Sequence, residues 1–250
     1  MRGLAPILTF LLGMFSCGCA STQEIPVTDN GETVVLLHGL GRTSRSMRSL
    51  GRRLEARGYT VHNLDYPSRR QSFEELTNYV GRSIEECGGA GAERLHLVGH
   101  SLGGILARAY VQEFRPGNLG RVVMLSPPNH GSEIVDVLRR WPFFDRVVGP
   151  TGIELGTVPE SVPNRLEPPD YEVGIIAGNR SLTVLGSLLL PGPDDGIITV
   201  ESARLPGARD FLVLPHGHTF IMASVRVAAE VATFLESGRF SREGTSRPTD

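Results

Sequence analysis

Lysine is absent from this chain of 250 residues, so all 25 basic residues are arginines. That omission excludes a Walker-type phosphate loop, a pyridoxal Schiff base and a Ser-Lys catalytic dyad, because each needs a primary amine. Cysteine is scarce. Cys17 and Cys19 lie near the N-terminus and Cys87 alone falls in the body, too few for a disulfide framework. No histidine or strongly basic stretch adjoins Cys87, which reads as a half-buried, inert thiol at a helix end. No apolar run reaches the roughly 20 residues of a membrane span. Neither sign of charge dominates: the net value is −2, which gives no basic field for nucleic acid or an anionic surface. With 40% hydrophobic and 21% charged residues, the composition is that of one soluble domain with a sizeable core.

The N-terminus carries Arg2, an apolar stretch from Leu4 to Phe15, and the small-residue cluster Ser16-Cys17-Gly18-Cys19-Ala20-Ser21. This pattern predicts a cleaved export signal over residues 1–20. Gly18-Cys19-Ala20-Ser21 resembles a bacterial lipoprotein cleavage site in which Cys19 becomes the lipidated first residue, although Ser16 stands where such sites favour leucine. Ordinary cleavage after Ala20 is the alternative. Either route predicts an exported chain, held at the cell envelope by a lipid on Cys19 or else periplasmic or secreted. Residues 21–31 read as a tether, 32–240 as the folded domain and 241–250 as a flexible tail.

Within the domain, strand-like and helix-like patterns alternate. Val34-Val35-Leu36-Leu37 is a continuous apolar run, as expected of a strand buried on both faces of a parallel sheet. A helix follows over 44–57, with Met47, Leu50 and Leu54 on one face and Arg45, Arg48, Arg52 and Arg53 on the solvated remainder. Further strands are expected at 59–64, 94–98, 121–125, 172–177 and 211–214, with helices at 72–87, 105–114 and 221–235. Such alternation predicts an α/β fold with a mostly parallel sheet covered by helices on both faces. Residues 130–170 hold six prolines and read as an insertion.

Gly99-His100-Ser101-Leu102-Gly103 is the strongest chemical signal, since it fits Gly-x-Ser-x-Gly and lies between a predicted strand and a predicted helix. The glycines let the backbone turn sharply around Ser101 without a Cβ clash. A serine nucleophile needs a base, and the base needs an acid to orient it. Both follow in the order expected of such an elbow, on loops at strand ends. In Pro193-Asp194-Asp195-Gly196, Asp195 is preferred because it sits at the turn itself, leaving Asp194 as a solvated carboxylate. In Pro215-His216-Gly217-His218, His218 is preferred because it directly precedes the closing helix, leaving His216 at the rim. The His-x-His pair lacks the flanking ligands of a zinc site. Backbone N–H groups of Leu102 and of Leu40, in His38-Gly39-Leu40-Gly41, are the candidate oxyanion donors. His38 and His100 read as packing or loop-ordering residues; His62, His96 and His130 have no partner evident in the sequence.

Together with Pro128-Asn129-His130-Gly131-Ser132, Asp195-Gly196 and His218-Thr219-Phe220, these motifs make the chain resemble the bacterial esterase/lipase family of α/β-hydrolases from about Glu32 to Phe240. The resemblance implies ester hydrolysis through an acyl-enzyme, without metal or organic cofactor, on a small-molecule or lipid ester. It also implies a cap or lid at 130–170, to which Trp141-Pro142-Phe143-Phe144 would lend apolar bulk. An acyltransferase with the same triad, and a noncatalytic cell-envelope binding protein on the same fold, are the alternatives.

Overall fold

A computed structural model describes the protein over residues 31–181 and 189–242. The export signal, Cys17, Cys19, the tether up to residue 30 and the tail from residue 243 lie outside the described residues. Six parallel strands form one sheet in the order β2-β1-β3-β4-β5-β6. They are β1 (Glu32–Leu37), β2 (Thr60–Asn63), β3 (Arg94–His100), β4 (Leu119–Leu125), β5 (Val173–Gly178) and β6 (Asp210–Leu214). All six expected strands are present, and the fold is the expected α/β one.

The strand order explains where a site can form. From β1 the chain steps outward to β2, then returns to β3 and proceeds the other way, so the loops leaving β1 and β3 diverge and open a crevice at their carboxyl ends. Leu37 pairs with Gly99 at that edge, which brings the Gly39–Gly41 loop beside Ser101.

Alternate side chains of the sheet feed two cores. Val35, Leu37, Leu95, Leu97 and Met124 pack with α2 (Phe73–Glu86) and α3 (Leu102–Phe114). Val34, Leu36, Val98 and Leu125 pack on the other face with α1 (Arg48–Glu55) and the C-terminal helix. Helix α2 starts where Ser72 and Glu75 form a reciprocal capping box, which satisfies donors that the first turn leaves free. Cys87 is half-buried at its end, its thiol donating to Ile84 O at 3.4 Å.

Two expected helices are shorter and differently begun. The first opens with a 3-10 turn at Ser44–Ser46 before α1 starts at Arg48, and its arginines 45, 48, 52 and 53 are exposed as the pattern required. The closing helix, expected from residue 221, is a 3-10 turn at Ile221–Ala223 followed by an α-helix at Val225–Ser237. Ser224 separates them because its hydroxyl caps Val227 N–H, a side-chain bond that starts a new helix. At its far end the described chain continues through Ser241, which bonds to Glu230, and Arg242, which pairs with Asp210.

Residues 130–170 carry α4 (Glu133–Leu138), α5 (Phe144–Ile153) and α6 (Val162–Arg165). Helix α5 kinks at Gly149, φ 74°, where any Cβ would lie 2.0 Å from Arg69 O. The segment is pinned to the domain by Thr151 Oγ1 donating to Gln71 O and by Glu154 accepting from Phe73 N–H. Its outer turn leaves Trp141 65% and Phe143 67% exposed. Further along lie the four-residue α7 (Val200–Ala203) and the thirteen-residue α8 (Val225–Ser237). Among the described residues, no helix is long and apolar enough to cross a membrane.

Candidate active site

Ser101 sits at the β3–α3 junction with φ 54° and ψ −121°, a backbone conformation that costs a non-glycine residue on the order of 1–3 kcal/mol. Its neighbours show what sustains it. A Cβ on Gly99 would meet Gly103 C at 2.3 Å, and one on Gly103 would meet Leu37 O at 2.2 Å. Helix and strand can approach this closely only with glycine at both places. Leu102 opens α3, so its N–H belongs to the first turn, whose donors have no acceptor within the helix.

The loop after β1 is held by buried His38. Its Nδ1–H donates to Gly39 O at 2.9 Å, its Nε2 accepts from Tyr66 N–H, and its ring stacks on Tyr66 at 3.9 Å. Burial is the main force keeping this imidazole below its ordinary pKa, and a neutral ring is what those two bonds need. Gly41 N–H donates to Ser68 Oγ and Arg42 N–H to Gly39 O, which fixes Leu40 between them. A Cβ on Gly39 would lie 3.2 Å from Ser101 Cβ, so this loop lies directly against the elbow.

Asp195 and His218 are brought together as the sequence suggested. His218 Nδ1–H donates to Asp195 Oδ2 at 2.8 Å, and His218 N–H donates to Asp195 O at 2.9 Å. Asp195 Oδ1 accepts from the N–H groups of Ile197 and Ile198 at 3.1 and 2.8 Å. Burial pushes this carboxyl towards its neutral form. Together, the adjacent His218 charge and hydrogen bonds from His218, Ile198 N–H and the Ser126 hydroxyl outweigh that push, and the pKa is held below the ordinary aspartate value. Asp195 therefore stays charged beside the ring it orients.

Asp194 corrects one expectation. It is 5% exposed rather than solvated, and its Oδ1 accepts from Gly196 N–H at 2.7 Å to build the turn that presents Asp195. His216 lies away from that carboxylate and bonds through Nε2 to Ser224 Oγ at 3.1 Å. His100 points beneath the site, donating from Nε2 to His218 O at 3.0 Å, and burial followed by the His218 charge holds it well below its ordinary pKa. His96, which had no partner in sequence, contacts Glu32 at 3.3 Å and accepts Arg121 N–H at the opposite end of the sheet.

Ser101, His218, Leu40 and His100 line one pocket of about 170 Å³ whose far wall is Val135 and Leu155 of the 130–170 segment. Two supporting residues carried no clear signal in the sequence. Ser126 follows β4 at φ 46° and reaches Asp195 and Gly178 N–H. Arg108, buried within the apolar run of α3, donates to Asn129 Oδ1 and to the carbonyls of Pro163 and Leu166, which fastens the 130–170 segment to the elbow helix. Its only sequence trace was an arginine where the helix is otherwise apolar.

Comparison with known proteins shows partial sequence similarity and a shared fold. A lysosomal thioesterase homologue of Drosophila melanogaster is 31% identical over 129 residues, 50% of this chain and 43% of its own length. A triacylglycerol lipase of Pseudomonas fragi is 49% identical over 49 residues, 20% of this chain and 16% of that protein. The chain thus spans less than half the length of either relative. Among solved structures, a mature lipase of Bacillus licheniformis superposes with a TM-score of 0.68 at 20% identity, covering 85% of this chain and 93% of that one. A thermophilic esterase of Thermogutta terrifontis superposes with a TM-score of 0.57 at 15% identity, covering 84% and 92%. The sequence model of the alpha/beta hydrolase family matches residues 34–231, from the first core strand to the last helix, and the chain belongs to that family.

Proposed function

We propose that this protein is a serine hydrolase that cleaves carboxylic esters through an acyl-enzyme. The observation that carries the proposal is the 2.8 Å bond between His218 Nδ1 and Asp195, made in the pocket that Ser101 lines from a strained elbow. With Nδ1–H committed to Asp195, the neutral ring has its lone pair at Nε2, the form of imidazole that can take a proton. His218 removes the Ser101 hydroxyl proton as Oγ bonds to the ester carbonyl carbon. The N–H groups of Leu40 and Leu102 stabilise the oxyanion, and His218 returns the proton to the departing alcohol. Water, deprotonated in turn by His218, releases the acid and restores Ser101.

The lipase, esterase and thioesterase relatives support acyl chemistry of this kind and leave the acyl length open. We assign the 130–170 segment as the cap of the pocket, since it supplies Ser132, Val135 and Leu155 to its wall. Export and lipid attachment at Cys19 belong to the same proposal and rest on the N-terminal sequence.

The test combines a fluorophosphonate probe with p-nitrophenyl esters of increasing acyl length. Wild type is expected to label and turn over. Ser101→Ala is expected to lose both, by about 10⁴-fold or more in rate, with an unchanged circular dichroism spectrum. A folded alanine variant with comparable turnover would sink the assignment.

A further inference from the structure

Beside the catalytic pocket lies a groove of about 620 Å³ into which the protein places Arg42, Arg69, Arg70 and Arg146. They come from three separate stretches: the loop after β1, the loop after β2, and α5 of the 130–170 segment. Asp65 is the sole carboxylate in the lining, so the groove holds a surplus of three positive charges in a protein whose net charge is negative. Asp65 is itself engaged, accepting Ser44 N–H at 2.8 Å and lying 3.7 Å from His38. Among the described residues, none of the four arginines has a carboxylate within 4.0 Å. The Arg42 guanidinium donates to Thr219 O and that of Arg69 to Val147 O, both neutral carbonyls, while Arg146 lies over the Phe143 ring at 5.3 Å.

The groove adjoins the site. Arg42 lines both cavities, and Gly41 in the groove directly follows Leu40 in the pocket. A molecule with its carbonyl at Ser101 therefore has an unpaired guanidinium group next to it and three more beyond. Clustered like charges repel one another, and an anion lying among them relieves that repulsion. Guanidinium forks match the oxygens of carboxylate and phosphate groups, and arginine retains its charge at every physiological pH.

Building on the ester-hydrolase reading, we propose that this groove is a substrate subsite for an anionic group. The preferred substrate is a soluble ester that carries a carboxylate or phosphate several bonds from the scissile carbonyl. Arg42 grips the anion nearest the reacting ester, and Arg69, Arg70 and Arg146 supply the attracting field. The same arrangement disfavours cationic esters.

The experiment measures kcat/KM for matched pairs: p-nitrophenyl butyrate against the p-nitrophenyl hemiester of glutaric acid, and monobutyrin against 1-butyrylglycerol 3-phosphate. Each is normalised to its rate of spontaneous alkaline hydrolysis. At low salt the charged member is expected to be favoured by about tenfold, the scale set by several partly exposed charge pairs. The ratio is expected to fall towards unity in Arg69→Gln/Arg70→Gln/Arg146→Gln, in Arg42→Gln, and on adding about 0.5 M NaCl. Arg69, Arg70 and Arg146 are exposed and Arg42 is half-buried, and circular dichroism with fluorophosphonate labelling verifies that each variant folds.

Equal use of charged and neutral soluble esters, or an anionic preference that the variants retain, would overturn the subsite. A further arm compares phosphatidylglycerol with phosphatidylcholine vesicles. Preference for the anionic vesicles without preference among the soluble esters also overturns it, because the arginines would then be attracting a surface. Absence of turnover and labelling altogether refutes the hydrolase reading instead.

Discussion

Two adjacent aspartates and two neighbouring histidines divide their work by which hydrogen bonds their backbone turns allow. Asp195 reaches His218 because Asp194 has already closed the turn onto Gly196 N–H. An amide oxygen can accept that same N–H, so Asp194→Asn is expected to keep turnover within a few-fold, about the size of a small structural adjustment. Asp195→Asn leaves the shape but favours the wrong imidazole tautomer, and is expected to lower kcat by about 10⁴-fold. His218→Ala is expected to abolish turnover on the same scale, whereas His216→Ala removes a bond to Ser224 and is expected to cost less than about tenfold. Four variants assayed on one short ester decide the assignment, and a reversed order within either pair would overturn it. The pairs were legible in the sequence as loops at strand ends. The burial of Asp194 was not, because an acidic residue next to glycine looks the same in sequence whether its turn faces water or the interior.

Among the elements, the β3–α3 junction is the most constrained. Its glycines are required by contacts with two other pieces of chain, Leu37 of β1 and the first turn of α3 itself. Gly99→Ala and Gly103→Ala are each expected to lower stability by about 3 kcal/mol, about 9 °C in the melting temperature of a domain this size, and to weaken fluorophosphonate labelling. Gly117→Ala is the control, since nothing lies within 4 Å of its would-be Cβ, and a shift of only about 1 °C is expected. Differential scanning calorimetry checks all three. Helix boundaries were less legible than helix existence. The break at Ser224 depends on one side-chain bond to Val227 N–H that an apolar periodicity does not register, and the 3-10 start before α1 arises in the same local way.

Across the whole molecule, buried histidines couple stability to pH. Burial is the leading cause that holds His38, His96, His100 and His216 below the ordinary value of 6.5. As pH falls through 6.5, the unfolded chain binds protons that the folded chain resists, so the stability contributed by these rings is full above that value and is lost below it. The melting temperature is expected to fall steadily between about pH 7 and about pH 5. His96→Gln can still accept Arg121 N–H and reach Glu32, and is expected to make the slope shallower; an unchanged slope would remove His96 from the account. Localisation belongs to this scale as well. Cys19→Ser is expected to release the protein from the membrane fraction, and mass spectrometry finding an unlipidated mature chain that starts at Ser21 would favour simple secretion.

Sequence alone determined the fold class, the elbow serine and the order of its partners. Those depend on short-range rules: apolar runs that must be buried, glycines that permit a sharp turn, and carboxylate and imidazole groups on loops after strands. Tertiary structure decided what depends on segments far apart in the chain. It placed His38 on Tyr66 to fix the Gly39–Gly41 loop, fastened residues 130–170 through Arg108, and gathered Arg42, Arg69, Arg70 and Arg146 around one groove. The physical reason is that hydrogen bonding, burial and charge act between neighbours in space, and only the strand order β2-β1-β3-β4-β5-β6 makes those residues neighbours.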